Sequence, residues 1–332
     1  MPAFTATAPG KIILFGEHAV VYRRPALAVP VNQVKARATV SANPLGSPGE
    51  LHIQAPDVDL ETRLADLPAD HPIAQTISGV LAELGAVKSP ACTVRITSTI
   101  PIAAGLGSGA AVSVAIIRAL SAFLGRSLPD ERVSALAYEV EKLHHGTPSG
   151  IDNAVVTYAM PVYFVRGDPK VGGSICTPGS MTTLEPLVVP VPFTIVIGDS
   201  GIPSPTSLVV SDVRRAWQDT PDHYDNLFDA VGRITQIARR AIEGGQPERL
   251  GPLMNENHAL LQQINVSSPE LDKLVEIARR SGALGAKLSG AGRGGNMIAL
   301  VNEDAAPVIA QALLQNGATR AIITTVRAPG IT

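Results

Sequence analysis

Cysteine and charge are scarce in this chain, and several common nucleotide and metal signatures are missing from it. Only two cysteines occur, Cys92 and Cys176, far apart and without metal-ligand spacing. They read as ordinary reduced thiols, which suits a cytoplasmic protein. Charged residues make up 17%, below the usual quarter, and the net charge of −2 gives no basic field for nucleic acid or anionic lipid. The N-terminal MPAFTATAPGK has no basic start followed by an apolar core, so no signal peptide is expected. Residues 96 to 117 carry no charge and could span a bilayer by length. Yet Pro101, three glycines and several hydroxyl residues break that run, and a buried strand, loop and helix explain it better than a membrane segment. No G-x-x-x-x-G-K-[ST] and no H-E-x-x-H occurs, which removes a Walker A loop and a zincin site.

The length of 332 residues suffices for two domains. The first part carries strand signals at Thr5–Gly16, Ala26–Val40 and Leu51–Ala55, broken by Asn43–Gly49. A helix near Ile73–Leu84, a strand at Thr93–Ile100 and a helix across Pro129–His145 follow, then a further helix after Asp152 and a strand at Pro161–Gly167. Residues 168 to 190 are dense in Gly, Pro, Ser and Thr and mark the expected boundary, giving domains 1–185 and 186–332. Beyond a strand at Phe193–Gly198 the chain turns helical. Ser204-Pro205, Thr220-Pro221 and Ser268-Pro269 each offer a hydroxyl cap before a first-turn proline. Strands return at Ala283–Leu288, Asn296–Val301 and Arg320–Val326, with a helix at Ala305–Leu314 between the last two. The fold class expected is α+β.

The most informative segment is Thr93–Ala122, a β-branched run entering GLGSGAA (Gly105–Ala111) and then a small-residue helix. Backbone amides at a glycine-entered helix start, with the dipole behind them, form an anion site, and glycine lets the backbone close around phosphate oxygens. Gly105, Gly107 and Ala110 also fit G-x-G-x-x-A, but a dinucleotide fold needs a second strand ending in Asp or Glu about 20 residues on. Here a helix follows a helix. Gly290, Gly292 and Gly295 spell G-x-G-x-x-G but lead into a strand. A phosphate loop of another fold remains, with its chemistry supplied from elsewhere in the chain.

Three places carry candidate chemistry. Lys11 follows Pro9-Gly10, read as a turn, inside an apolar strand; its ammonium must either meet a counter-ion or reach water from a strand end. In EKLHHGTPSGIDNAV (Glu141–Val155), Gly146 stops one helix and Asp152 opens the next. Asp152 is either a charge at the helix dipole or a catalytic group. Glu141 lies near a helix C-terminus, where a carboxylate is poorly placed unless a cation is near. KLSGAGRGGN (Lys287–Asn296) is a second glycine turn that can approach a ligand closely.

These segments, spread over nearly the whole chain, resemble the GHMP kinase superfamily. APGKIILFGEHAVVYRRPALA, IPIAAGLGSGAA and KLSGAGRGGNMIAL resemble its three motifs, and HHGTPSGIDNAV is similar to the HG-x-PSG-x-DN of the mevalonate kinase branch. The resemblance implies a two-domain fold, with an N-terminal domain like ribosomal protein S5 and a ferredoxin-like C-terminal one, the site lying between them. It implies phosphoryl transfer from ATP, with Mg2+, to the C5 hydroxyl of mevalonate by a cytoplasmic homodimer. By motif position Asp152 is the base, with Lys11 beside it. Gly105, Leu106, Gly107, Ser108, Gly109 and Ala110 hold ATP, and Ser108 and Glu141 hold the metal. Glu17, His18, Ser149, Thr206, Gly290 and Ala291 meet the substrate. A relative acting on phosphomevalonate or homoserine, or a silent GHMP-like binding protein, is the alternative. Three positions depart from the family pattern: Gly109 where GLGSSAA has its second serine, Arg293 where GAGGGG has glycine, and Ser207 where an arginine is common.

Overall fold

The computed structural model describes residues 3–47, 49–86, 88–101, 104–145, 149–167, 182–204 and 206–328, with backbone only at 143–145. Most of the expected boundary segment (168–181), Cys176, the Gly146–Pro148 turn and Pro205 lie outside the described residues.

Among the described residues the strands are β1 (Ala3–Phe15), β2 (Ala26–Ala42), β3 (Leu51–Ala55), β4 (Leu60–Arg63), β5 (Cys92–Ser98), β6 (Val162–Val165), β7 (Thr183–Pro186), β8 (Phe193–Asp199), β9 (Gly285–Ser289), β10 (Asn296–Val301) and β11 (Arg320–Val326). The helices are α1 (Pro72–Glu83), α2 (Ser108–Phe123), α3 (Asp130–His145), α4 (Ile151–Tyr158), α5 (Thr206–Asp219), α6 (Pro221–Glu243), α7 (Leu250–Gln263), α8 (Pro269–Arg280) and α9 (Ala306–Gln315). The helix-after-helix succession of α2 and α3 confirms the rejection of a dinucleotide fold. The described part of the uncharged run 96–117 holds the end of β5, the glycines of the loop and the start of α2. No described helix is long and apolar enough to cross a membrane.

The chain forms two compact units. One comprises Met1–Gly10, Val34–Pro101 and Gly107–Ala159, and the other Lys11–Gln33, Ile102–Leu106 and Met160–Thr332. In the first unit, β2 pairs antiparallel with β5 from Ala36↔Ser98 to Ala42↔Cys92, β3 runs parallel to β5, and β4 closes antiparallel on β3. Helices α1 to α4 pack on one another, and α2 also packs on β5. Ala110, Ala111, Ser113, Ala115 and Ala119 are buried on α2, and such small side chains permit that close packing.

In the second unit, β8, β9, β10 and β11 form an antiparallel sheet in the order β11-β8-β10-β9. With α5–α8 between β8 and β9, and α9 between β10 and β11, this is the β-α-β-β-α-β order of a ferredoxin-like unit. Its core draws on Val196, Phe228, Leu261, Leu271, Leu288, Met297 and Ile309. The start of β2 pairs with β6, and β6 with β7.

Two local expectations are corrected. Pro9-Gly10 is no turn but the middle of β1. Among the described residues that strand pairs with β2 alone, and an edge strand tolerates a residue lacking N–H. Of the hydroxyl caps, Ser268 accepts from Leu271 N at 3.3 Å, whereas Thr220 makes no side-chain cap. Its hydroxyl instead donates to Ala216 O at 3.2 Å in the preceding helix.

Candidate active site

In the first unit the expected site residues lie at the starts of α2 and α4 and in the last part of α3. Gly107, the residue before α2, has φ 73°, and no side chain caps the helix. The first helical hydrogen bond runs from Ala111 N to Gly107 O at 3.0 Å. A glycine-entered helix start without a side-chain cap is the arrangement that suits phosphate oxygens. Ser108 opens α2 and is half-buried, Ala110 is buried, and Gly109 is exposed. Gly109 has no left-handed backbone, and a Cβ there would meet nothing within 4 Å. The departure from serine at this position is therefore not imposed by space.

Helix α4 is only eight residues long, yet it is held from two sides. Ser149 Oγ accepts from Ile151 N at 3.3 Å, and Gly150 enters the helix at φ 89°. Asn153, fully buried, donates through Nδ2 to Ser134 O at 3.1 Å and Ser134 Oγ at 2.9 Å on α3. Arg118 on α2 donates to Thr157 O at 2.7 Å and to Asp130 at 2.6 Å. Asp152, half-buried in the first turn of α4, thus sits on a braced element. Glu141 is buried on α3, a few residues before the helix ends. No cluster of three or more His, Cys, Asp or Glu suited to a metal occurs among the described residues. Magnesium bound with a nucleotide needs only one or two protein oxygens, so Glu141 and Ser108 fit that chemistry. Cys92 is buried on β5, and burial pushes its thiol up to about 12, so it is inert.

In the second unit Lys11 lies within β1 and is 4% exposed, so it does not reach water from a strand end. Its backbone N donates to Leu106 O at 2.9 Å, tying the glycine loop to the strand. Leu106 is buried and Gly105 takes φ 78°. Beyond β1, Gly16 turns at φ 98°, and a Cβ there would lie 2.4 Å from Pro25 O. Glu17 and His18 follow, both buried. Glu17 is ion-paired with Lys287, and its second oxygen accepts from Asn257 Nδ2 at 3.3 Å. His18 holds φ 59°, and its Nε2 is 2.8 Å from Ala291 O. A carbonyl only accepts, so Nε2 carries the hydrogen. Burial lowers the His18 pKa to about 4, with Arg293 adding to the shift and the Ala291 bond opposing it.

The glycine hairpin between β9 and β10 is tightly held. Gly292 has φ 83°, and a Cβ would lie 1.9 Å from Val266 O. Arg293, at φ 55°, donates through its backbone N to Val266 O at 2.8 Å. Its guanidinium donates to Asp212 at 2.5 Å and to Asn265 O at 3.3 Å. Asn296 Nδ2 donates to Ala104 O. Thr206, at the first position of α5, is exposed, as is Ser207.

The second unit thus brings Lys11, Glu17, His18, Gly290 and Ala291 onto adjoining segments. The first carries Ser108 and Asp152 at the starts of α2 and α4, two helices that pack on each other. The sequence reading missed Lys287, Asn257, Asn153 and Asn296. Lys287 could have been found by the signal that exposed Lys11, a lysine inside an apolar strand.

The family profile for the GHMP kinases N terminal domain matches residues 72–160, and that for the GHMP kinases C terminal matches residues 238–319. The chain is 36% identical to the mevalonate kinase of Thermococcus sibiricus over 317 residues, covering 90% of this chain and 89% of the relative. It is also 36% identical to the mevalonate kinase of Pyrococcus horikoshii over 316 residues, covering 89% and 88%. Among solved structures, L. major mevalonate kinase in complex with R-mevalonate superposes with a TM-score of 0.80 at 31% identity, covering 98% of this chain and 97% of that one. With both GHMP profiles matched and full-length relatives above 30% identity, the chain belongs to the GHMP kinases, in the mevalonate kinase family.

Proposed function

We propose that the chain transfers the γ-phosphoryl group of ATP to the C5 hydroxyl of mevalonate, giving mevalonate 5-phosphate and ADP. The observation that carries this reading is the glycine-entered, uncapped start of α2, in a chain that also keeps Lys11, Glu141 and Asp152 at their motif positions. Asp152 takes the proton of the C5 hydroxyl as its oxygen attacks the γ-phosphorus, and the bond to the β–γ bridging oxygen breaks. Lys11 supplies fixed positive charge against the charge of the transferring group. The amides of Gly107 to Ala110 hold the phosphates that are not transferred. Ser108 and Glu141 are the oxygen donors assigned to magnesium, which supplies charge neutralisation between the phosphates when bound. His18, Ser149, Thr206, Gly290 and Ala291 are assigned to mevalonate.

The roles follow from motif position, the braced α4 and the buried setting of Lys11. We assign the two domains to 1–185 and 186–332, and read the enzyme as a cytoplasmic homodimer. Sedimentation at micromolar concentration tests the dimer, and a monomer there removes that part of the reading. The central test is ADP release with mevalonate, mevalonate 5-phosphate and homoserine as acceptors. Turnover with mevalonate alone is expected. Faster turnover with either other acceptor would replace the assignment by that of a related kinase, and none with any would leave a silent binding protein.

A further inference from the structure

We propose that Glu17 and Lys287 form a positioning pair that sets the His18 turn on the glycine hairpin, so that Glu17 acts through His18 rather than by touching substrate. The inference rests on the reading that His18 faces the substrate.

Three cross-links join the first motif to the third, at every second residue of one short stretch. Lys287 is ion-paired with Glu17. Ser289 Oγ donates to Ile13 O at 2.8 Å and accepts from Ile13 N at 3.2 Å. Ala291 O accepts from His18. Lys287 and Ser289 alternate on β9 and so present one face to the segment 13–18, while Ala291, beyond the turn at Gly290, meets the same segment through its backbone carbonyl.

The charges at the root of this face are fully enclosed. Both side chains of the Glu17–Lys287 pair have zero exposure. Lys287 also donates to Leu288 O at 2.6 Å, and its ammonium lies 5.9 Å from the Phe15 ring centroid. Burial pushes the Lys287 pKa down while Glu17 pulls it back up. With Lys287 on one oxygen and Asn257 on the other, Glu17 is committed to protein partners. A desolvated pair of this kind is weak evidence of stabilisation, since apolar residues of similar volume often serve as well or better. What it supplies here is direction. His18 is a non-glycine residue at φ 59°, ψ −48°, a backbone that persists only where its surroundings fix it. The neighbouring Glu17 is that fixture, and the ring orientation of His18 follows from it.

The test is the double variant Glu17→Gln/Lys287→Met, which removes both charges at near-constant volume and avoids a lone buried charge. Three readouts are taken together: the melting temperature, the NMR titration of His18 in the free enzyme, and KM for each substrate. The double variant is expected to melt at or above the wild-type temperature. The His18 resonance should move from a titration near pH 4 towards its ordinary value near 6.5. KM for mevalonate should rise about tenfold, with KM for ATP within about twofold. Wild-type titration and wild-type mevalonate KM in a stable double variant would overturn the proposal.

Asn257→Leu is the milder second variant. It keeps the ion pair but frees one Glu17 oxygen, and should raise mevalonate KM about threefold in the same selective way. Equal effects on both substrates would show a general packing defect and count against positioning. If the wild type proves inactive on mevalonate while the double variant still releases His18, the kinase reading fails and the positioning pair stands.

Discussion

At the scale of single residues, the same chemistry carries different weight in different surroundings. Asp152 occupies a first-turn position where an aspartate can be no more than a favourable charge at the helix dipole. The bonds of Asn153 and Arg118 hold α4 itself in place, which a mere dipole charge on that helix does not require. Asp152→Asn should fold normally and bind ATP, yet lose on the order of a hundredfold or more in kcat, as expected for removal of a general base. Near-wild-type turnover in the folded variant would remove Asp152 from the mechanism.

Gly109 is the complementary case. Its Cβ position is open and its backbone is not left-handed, so Gly109→Ser should leave the melting temperature within a degree or two and ATP binding intact. Ser108 is the one hydroxyl of the segment Gly105–Ala111. Ser108→Ala should therefore raise the magnesium concentration needed for half-maximal rate, and Gly109→Ser should partly restore it in the double variant. If Ser108→Ala leaves the magnesium titration unchanged, the metal takes no oxygen from that side chain.

At the scale of elements, the hairpin between β9 and β10 shows how strictly backbone geometry can select residues. Gly292 combines φ 83° with a Cβ position 1.9 Å from Val266 O, so no side chain fits without moving the backbone between α7 and α8. Gly292→Ala should destabilise the protein by roughly 3 kcal/mol or more, as chemical unfolding would show. An effect below about 1 kcal/mol would mean that the hairpin relaxes freely. Arg293 also has positive φ, at a position where a glycine is expected, but there the side chain compensates by joining Asp212 and the Asn265 carbonyl. The glycine spacing was legible in the sequence. What Arg293 does was not, because Asp212 and Asn265 are distant along the chain and come into reach only through the packing of α5 and the α7–α8 connection.

At the scale of the molecule, two histidines buried in one compact unit link stability to pH. His18 and His258 each titrate near 4, in both cases chiefly because burial disfavours the charged ring. The unfolded chain, with histidines near 6.5, binds more protons below that value, so stability is complete above pH 6.5 and is lost as pH falls towards 4. Each histidine contributes a loss of about 2 kcal/mol by pH 5, from the size of that shift. Urea midpoints measured at pH 7 and pH 5 should show the decline, and His18→Gln should reduce it. An identical decline in that variant would assign the acid sensitivity to other groups.

The sequence by itself determined most of the order of elements, though not the short strands β4 and β7, together with the α+β class and the family, because these rest on local periodicity, turn chemistry and short contiguous motifs. The strands Asn296–Val301, Arg320–Val326 and Leu51–Ala55 have the bounds that their apolar patterns mark. Pro9-Gly10 misled because a local turn signal is overridden where an edge strand needs no N–H from proline. Tertiary structure alone decided which buried charges meet. Glu17 and Lys287 are 270 residues apart. No local pattern joins them; the antiparallel sheet and the tight turn at Gly16 do, by bringing both charges into one dry space where each requires the other.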